Sequence, residues 1–204
     1  MKRSILVWAV VFASLGLSAC STKTGGTATP SPTESGAATS APGDPSVPKV
    51  SVPLDPSAYL SDPCKVVPES LMTDLGFTKP GNPDVGTSTS KAGPSCDWAS
   101  SGKGTTVAIL TGDRDKGVGA LVDVYRGKQA GLYAYAESAP DVEGYPAVYA
   151  QITDRRSAGG CGIFVGIADD LTFTVKNSGF DGAQDSCDAV QKVAAAVVKT
   201  LKGA

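Results

Sequence analysis

Apolar and polar positions follow three regimes along the chain: an apolar run near the start broken only by Ala13, Ser14 and Gly16, a stretch with almost none, and periodic alternation from about residue 57 onward. Within the periodic part, "PESLMTDLGF" places Leu71, Met72 and Leu75 on one helical face, with Pro68 suited to the first turn and Gly76 to the end. "SCDWAS" and "TTVAILTG" read as strands joined by a turn at "SGKG", with Val107 and Ile109 alternating against Thr106 and Ala108. A second helix is expected from Asp115 as its cap, since Val118, Leu121, Val122 and Tyr125 follow the i, i+3, i+4, i+7 spacing. "LYAYAES" and "PAVYAQIT" are strand-like. "CGIFVGI" and "LTFTVK" flank Asp169-Asp170 as a hairpin, with Ile163, Val165, Ile167, Leu171, Phe173 and Val175 facing one way. The clearest element comes last. From Ser186, with Asp185 as expected N-cap, Val190, Val193, Ala194, Val197, Val198 and Leu201 form one apolar face opposite Gln191, Lys192, Lys199 and Lys202. The order helix, two strands, helix, four strands, helix predicts an α+β fold, a single mostly antiparallel sheet flanked by helices, and argues against a doubly wound parallel sheet.

The opening run, Ile5 to Leu17, follows Lys2 and Arg3 and is about 13 residues, short of the roughly 20 that span a hydrocarbon core. Small residues follow it, as cleavage of a secretory signal requires. Leu17-Ser18-Ala19-Cys20 resembles the lipobox of bacterial lipoproteins, which implies a diacylglyceryl-modified Cys20 as the new N-terminus. The expected partner is therefore a lipid bilayer, with the chain on the extracytoplasmic face of the cell membrane. From Ser21 to Pro56, 23 of 36 residues are Gly, Pro, Ser or Thr and none is aromatic. Such a segment buries too little apolar surface to order itself. The expected division is 1–19 signal peptide, 20–56 acylated cysteine and tether, and 57–204 globular domain.

Loss of Lys2 and Arg3 with the signal takes the net charge from −2 to about −4. No basic cluster is left to neutralise phosphates, so nucleic-acid binding is not expected. Four cysteines fall in the domain: Cys64, Cys96, Cys161 and Cys187. An even count in an exported chain reads as two disulfides. Three connectivities are open. Cys64 with Cys96 and Cys161 with Cys187 are favoured, because each pair joins a helix-flanking segment to a strand within one half of the domain. No C-x-x-C spacing and no histidine occur, so neither a metal site nor a cofactor is expected.

"DPCKVVPES" at 62–70, "CDW" at 96–98, "GYPAV" at 144–148, "CGIFVGI" at 161–167 and "DSCDAVQKVAAAVVKTL" at 185–201 together resemble the actinobacterial lipoprotein family catalogued as domain of unknown function 3558. The resemblance implies an exported lipoprotein and supplies no catalytic residues. The arrangement is also similar to the Mog1/PsbP-like α/β/α sandwich, an analogy of fold alone.

Candidate chemistry is sparse. The absence of histidine excludes Ser-His-Asp and Cys-His triads. Ser88-Thr89-Ser90-Lys91 matches S-x-x-K, but it lies in a Gly/Ser/Thr loop without the accompanying S-D-N. "TGDRDKGVG" at 111–119 lacks the third glycine of a dinucleotide loop and the G-K-[ST] of a phosphate loop. As a calcium loop starting at Asp113 it would end in Val124 where Glu is needed. Asp169-Asp170 reads as a turn, and Asp181, Asp185 and Asp188 as turn and helix-start charges. Tyr133, Tyr135, Tyr145 and Tyr149 are the candidate ligand-binding residues, with Tyr133 and Tyr135 expected on one strand face and Leu132, Ala134 and Ala136 on the other. The functional expectation is a non-catalytic binding or interaction module of the cell envelope. A lipid or small-ligand carrier and a carboxylate-based cell-wall enzyme are the alternatives.

Overall fold

The computed structural model describes residues 47–86, 92–112 and 119–203. The expected signal, Cys20, most of the expected tether, Ser88 to Lys91, Asp113, Asp115 and Val118 lie outside the described residues. Strands β1 (Asn82–Asp84), β2 (Ser95–Ser100), β3 (Lys103–Ile109), β4 (Tyr135–Ser138), β5 (Ala147–Gln151), β6 (Cys161–Ala168) and β7 (Leu171–Ser178) alternate with helices α1 (Glu69–Asp74), α2 (Leu121–Gln129) and α3 (Gly182–Lys202). Among the described residues the strands form one sheet in the order β1-β2-β3-β7-β6-β5-β4. Every neighbouring pair is antiparallel, so the α+β architecture is as expected.

Alternation along the strands assigns the two faces. Val107, Val175 and Ile163 lie side by side across β3, β7 and β6, all in the main core with Phe173, Met72 and the apolar stripe of α3. The predicted α3 face is buried throughout, from Val190 to Leu201. The opposite face of β4, β5 and β6 carries Ala136, Val148, Ala150 and Phe164, which pack with Leu121 and Val124 of α2 in a separate cluster. Helices therefore cover both sides of the sheet.

Both favoured disulfides are present. Cys64–Cys96 ties the 3₁₀ turn Pro63–Val66 to β2, and Cys161–Cys187 ties the start of β6 to the early turns of α3. Beside the second, Asn177 forms a buried knot: its Oδ1 accepts from the Cys161 N–H at 3.0 Å and the Ser186 hydroxyl at 2.6 Å, while its Nδ2 donates to the Ser186 carbonyl at 2.8 Å.

Element ends differ from expectation for identifiable reasons. α2 begins at Leu121, well beyond Asp115, because Gly119 has φ +111 and presses against the Leu110 carbonyl, where a Cβ would stand 2.6 Å from the oxygen. Asp123 supplies the cap instead, its Oδ2 accepting from the Gly119 and Ala120 N–H groups at 2.9 and 3.0 Å. α3 starts at Gly182, which puts Asp185 inside the first turn, where its Oδ2 accepts from the Asp181 N–H. α1 ends as drawn from sequence: Phe77 N–H donates to the Met72 carbonyl and Gly76 N–H to the Thr73 carbonyl, both at 2.9 Å, a Schellman closure. The β2–β3 turn narrows to Ser101-Gly102, both at positive φ, and the β6–β7 turn is Asp169-Asp170. β1 was not anticipated.

Residues 47–56, which composition groups with the tether, lie against the domain. The Leu54 N–H donates to the Ile167 carbonyl at 2.8 Å, and Asp169 accepts from the Val50 N–H at 3.1 Å and pairs with Lys49 at 3.2 Å. Among the described residues no helix is long and apolar enough to cross a membrane.

Candidate functional site

The four tyrosines are dispersed. Tyr133 precedes β4 and lies on the α2 side, its ring edge-on to Phe164 with centroids 6.1 Å apart. Tyr135, the first residue of β4, points to the other side, where the Arg156 guanidinium carbon lies 3.9 Å from its ring centroid. Tyr133 and Tyr135 therefore do not share a face: strand geometry starts at Tyr135, and the period of two does not reach back to Tyr133. Tyr145 donates its hydroxyl to the Val52 carbonyl at 2.8 Å, and Tyr149 donates to Gln191 Oε1 of α3 at 3.1 Å. Burial raises the pKa of Tyr133, Tyr135 and Tyr149, so each is a neutral phenol.

Two of the four line open spaces, Tyr133 a groove beside α2 and Tyr145 a larger space near the end of α3. α2 is nine residues long and leaves part of the sheet beside it open. Tyr133, the end of β5 at Ala150 and Gln151, the following Ile152, Thr153 and Arg155, Phe164 of β6 and Lys176 of β7 enclose about 240 Å³ there. Phe164 and Tyr133 form an aromatic floor, and Ile152 is 65% exposed at the rim. Lys176 sits opposite Gly162 in register, and its Nζ reaches 5.8 Å from the Phe164 ring centroid. Lys176 keeps an exposed side chain, yet desolvation by its neighbours lowers its pKa. A sequence signal for this groove lies in the alternation of β6 and β7. In "CGIFVGI" the residues off the main core face are Gly162, Phe164 and Gly166, an aromatic between two glycines, and the same face of "LTFTVK" ends in Lys176.

A larger space of about 610 Å³ lies between residues 51–58, the turn at Glu143 to Tyr145 and the end of α3. At its edge Lys202 donates to the Glu143 carbonyl at 2.8 Å, and the Glu143 carboxylate pairs with Lys199 at 3.3 Å. A third polar group surrounds Arg156, which donates to Asp154 through Nε at 3.0 Å and Nη2 at 2.7 Å and to Glu137 at 3.1 Å. These hydrogen bonds hold the Asp154 carboxyl at about 2, from an ordinary 3.8, and raise Arg156. Because the folded value is depressed, the contribution of Asp154 to stability is complete above 3.8 and is lost as pH falls through about 2.

The family model described as "Protein of unknown function (DUF3558)" matches residues 15–200, nearly the whole chain. The chain belongs to the DUF3558 family. No curated protein and no solved structure matches it.

In this DUF3558 chain, the acids singled out from sequence stay apart in role. Asp169 fixes residues 49 and 50, Asp185 accepts from the Asp181 N–H in the first turn of α3, and Asp188 accepts from Gln184 at 2.8 Å. Among the described residues no three histidine, cysteine or acidic side chains cluster to hold a metal ion. What the groove offers is recognition: an aromatic floor, an aliphatic rim and cationic side chains.

Proposed function

We propose that this DUF3558 chain is an exported lipoprotein, acylated at Cys20 on the extracytoplasmic face of the membrane, whose domain binds a ligand of the cell envelope without transforming it. The groove beside α2 carries the binding reading, since it combines apolar floor and polar rim in the manner of ligand sites. The two disulfides support the location, as such bonds persist in oxidising compartments.

Two measurements test the two parts. Fed an alkyne-tagged fatty acid, cells should label the wild-type chain and leave Cys20→Ala unlabelled and in the aqueous phase of a detergent partition; a labelled variant overturns the anchor. The mature chain, residues 20–204 with Cys20→Ser, should give a saturable thermal shift with envelope extract and leave the extract chemically unchanged. No shift overturns the binding reading.

A further inference from the structure

The groove beside α2 brings together two cations without a carboxylate partner and one buried acceptor without a donor, as judged among the described residues. Arg156 is matched by Asp154 and Glu137, Lys199 by Glu143, Lys49 by Asp169 and Arg126 by Asp123. Lys176 and Arg155, which both line the groove, have no carboxylate partner among the described residues. Gln151 lines it too, and its Oε1 is buried without a hydrogen-bond partner among the described residues. A buried acceptor left unpaired is costly, so a site holding one gains from a ligand that donates to it.

On the reading that the domain binds a ligand, we infer that the groove takes a small organic anion: a carboxylate or phosphate facing Lys176 and Arg155, an aromatic or aliphatic body on Phe164, Tyr133 and Ile152, and an N–H or O–H donor for Gln151 Oε1. Size agrees with this class. A space of about 240 Å³ lies just below the usual range of ligand pockets and suits a ligand of one ring or short chain with its head group. Charge agrees as well, because an anion offsets the desolvation that lowers Lys176. In the larger space near α3 the lining cation, Lys202, donates to the Glu143 carbonyl beside the Glu143 carboxylate, which pairs with Lys199.

N-acetylphenylalanine carries all three features and is the probe. Titrated by NMR into the mature chain with Cys20→Ser, it should shift Phe164, Ile152 and Lys176 resonances saturably. Its neutral amide should bind at least about tenfold more weakly, as should the carboxylate to Lys176→Gln or Arg155→Gln, each loss being that of one charge-assisted contact. Vesicles of phosphatidylglycerol in phosphatidylcholine form the second arm, since a lipid headgroup supplies the same anion and donor. Lys176-dependent binding to those vesicles alone assigns the site to a headgroup, and binding of the free acid assigns it to a soluble ligand. Equal binding of acid and amide, unchanged affinity in Lys176→Gln and Arg155→Gln, or no response in either arm overturns the inference. A saturable shift with envelope extract alongside such a failure leaves the binding reading standing; loss of both removes both.

Discussion

Asn177 gathers three hydrogen bonds in a place water does not reach: it is 6% exposed, while Ser186 and Cys161 are fully buried. Its amide joins the end of β7, the start of β6 and the first turns of α3. Leucine at that position would fill similar volume and strand the Cys161 N–H and both Ser186 groups. Asn177→Leu should therefore lower unfolding free energy by about 2–4 kcal/mol, from several orphaned groups at about 1–3 kcal/mol each. Ser186→Ala removes one hydroxyl donor and should cost about 1 kcal/mol. Urea unfolding checks both, with the midpoint moving and the slope constant; an unshifted midpoint in Asn177→Leu would deny the knot its role. In sequence, "KNSGFDG" reads as loop chemistry, since Asn, Ser and Gly are turn residues. Nothing local distinguishes an asparagine that bonds across three elements from one that starts a turn.

At the scale of elements, the legible parts were those whose apolar period is long and unbroken. α3 spans 21 residues and β6 and β7 eight each, and their buried faces are the ones the spacing drew. β1 escaped because it is a three-residue edge strand, "NPD", with no apolar alternation and a proline in its middle. The start of α2 escaped because its pattern continued through Gly119, whose positive φ ended the helix. The groove was half legible: period two sets Phe164 and Lys176 off the main core face, but only the length of α2 decides that this stretch stays open. That shortness makes α2 depend on its cap, since isolated helices below about 12–15 residues are marginal. Asp123 stands in the first turn and accepts two N–H groups there. Asp123→Ala should cost about 1 kcal/mol, within the range of capping residues. Hydrogen exchange locates the loss: amides of Val124 to Gln129 should exchange faster while those of α3 keep their protection, and uniform acceleration across the sheet would argue against a local cap.

For the molecule as a whole, the disulfides couple fold to compartment. The linked cysteines are 32 and 26 residues apart, and closing loops of that size restricts the unfolded chain by about 3.5 kcal/mol each in the chain-entropy model. Together that is about 7 kcal/mol against a typical net stability of about 5–15 kcal/mol. The two loops do not overlap in sequence, so their contributions should add. Each also fastens an element that the sheet ladder does not hold: the 3₁₀ turn Pro63–Val66 to β2 in one case, the early turns of α3 to β6 in the other. The double variant Cys64→Ala/Cys96→Ala should thus lose about half of what full reduction removes. With both bonds reduced by dithiothreitol, the urea midpoint should fall far toward zero, and the chain made without its first 19 residues in a reducing cytosol should show little native circular dichroism. A reduced chain that kept the oxidised midpoint would mean that packing alone carries the fold. It would also take away the support that the disulfides lend to the proposed export.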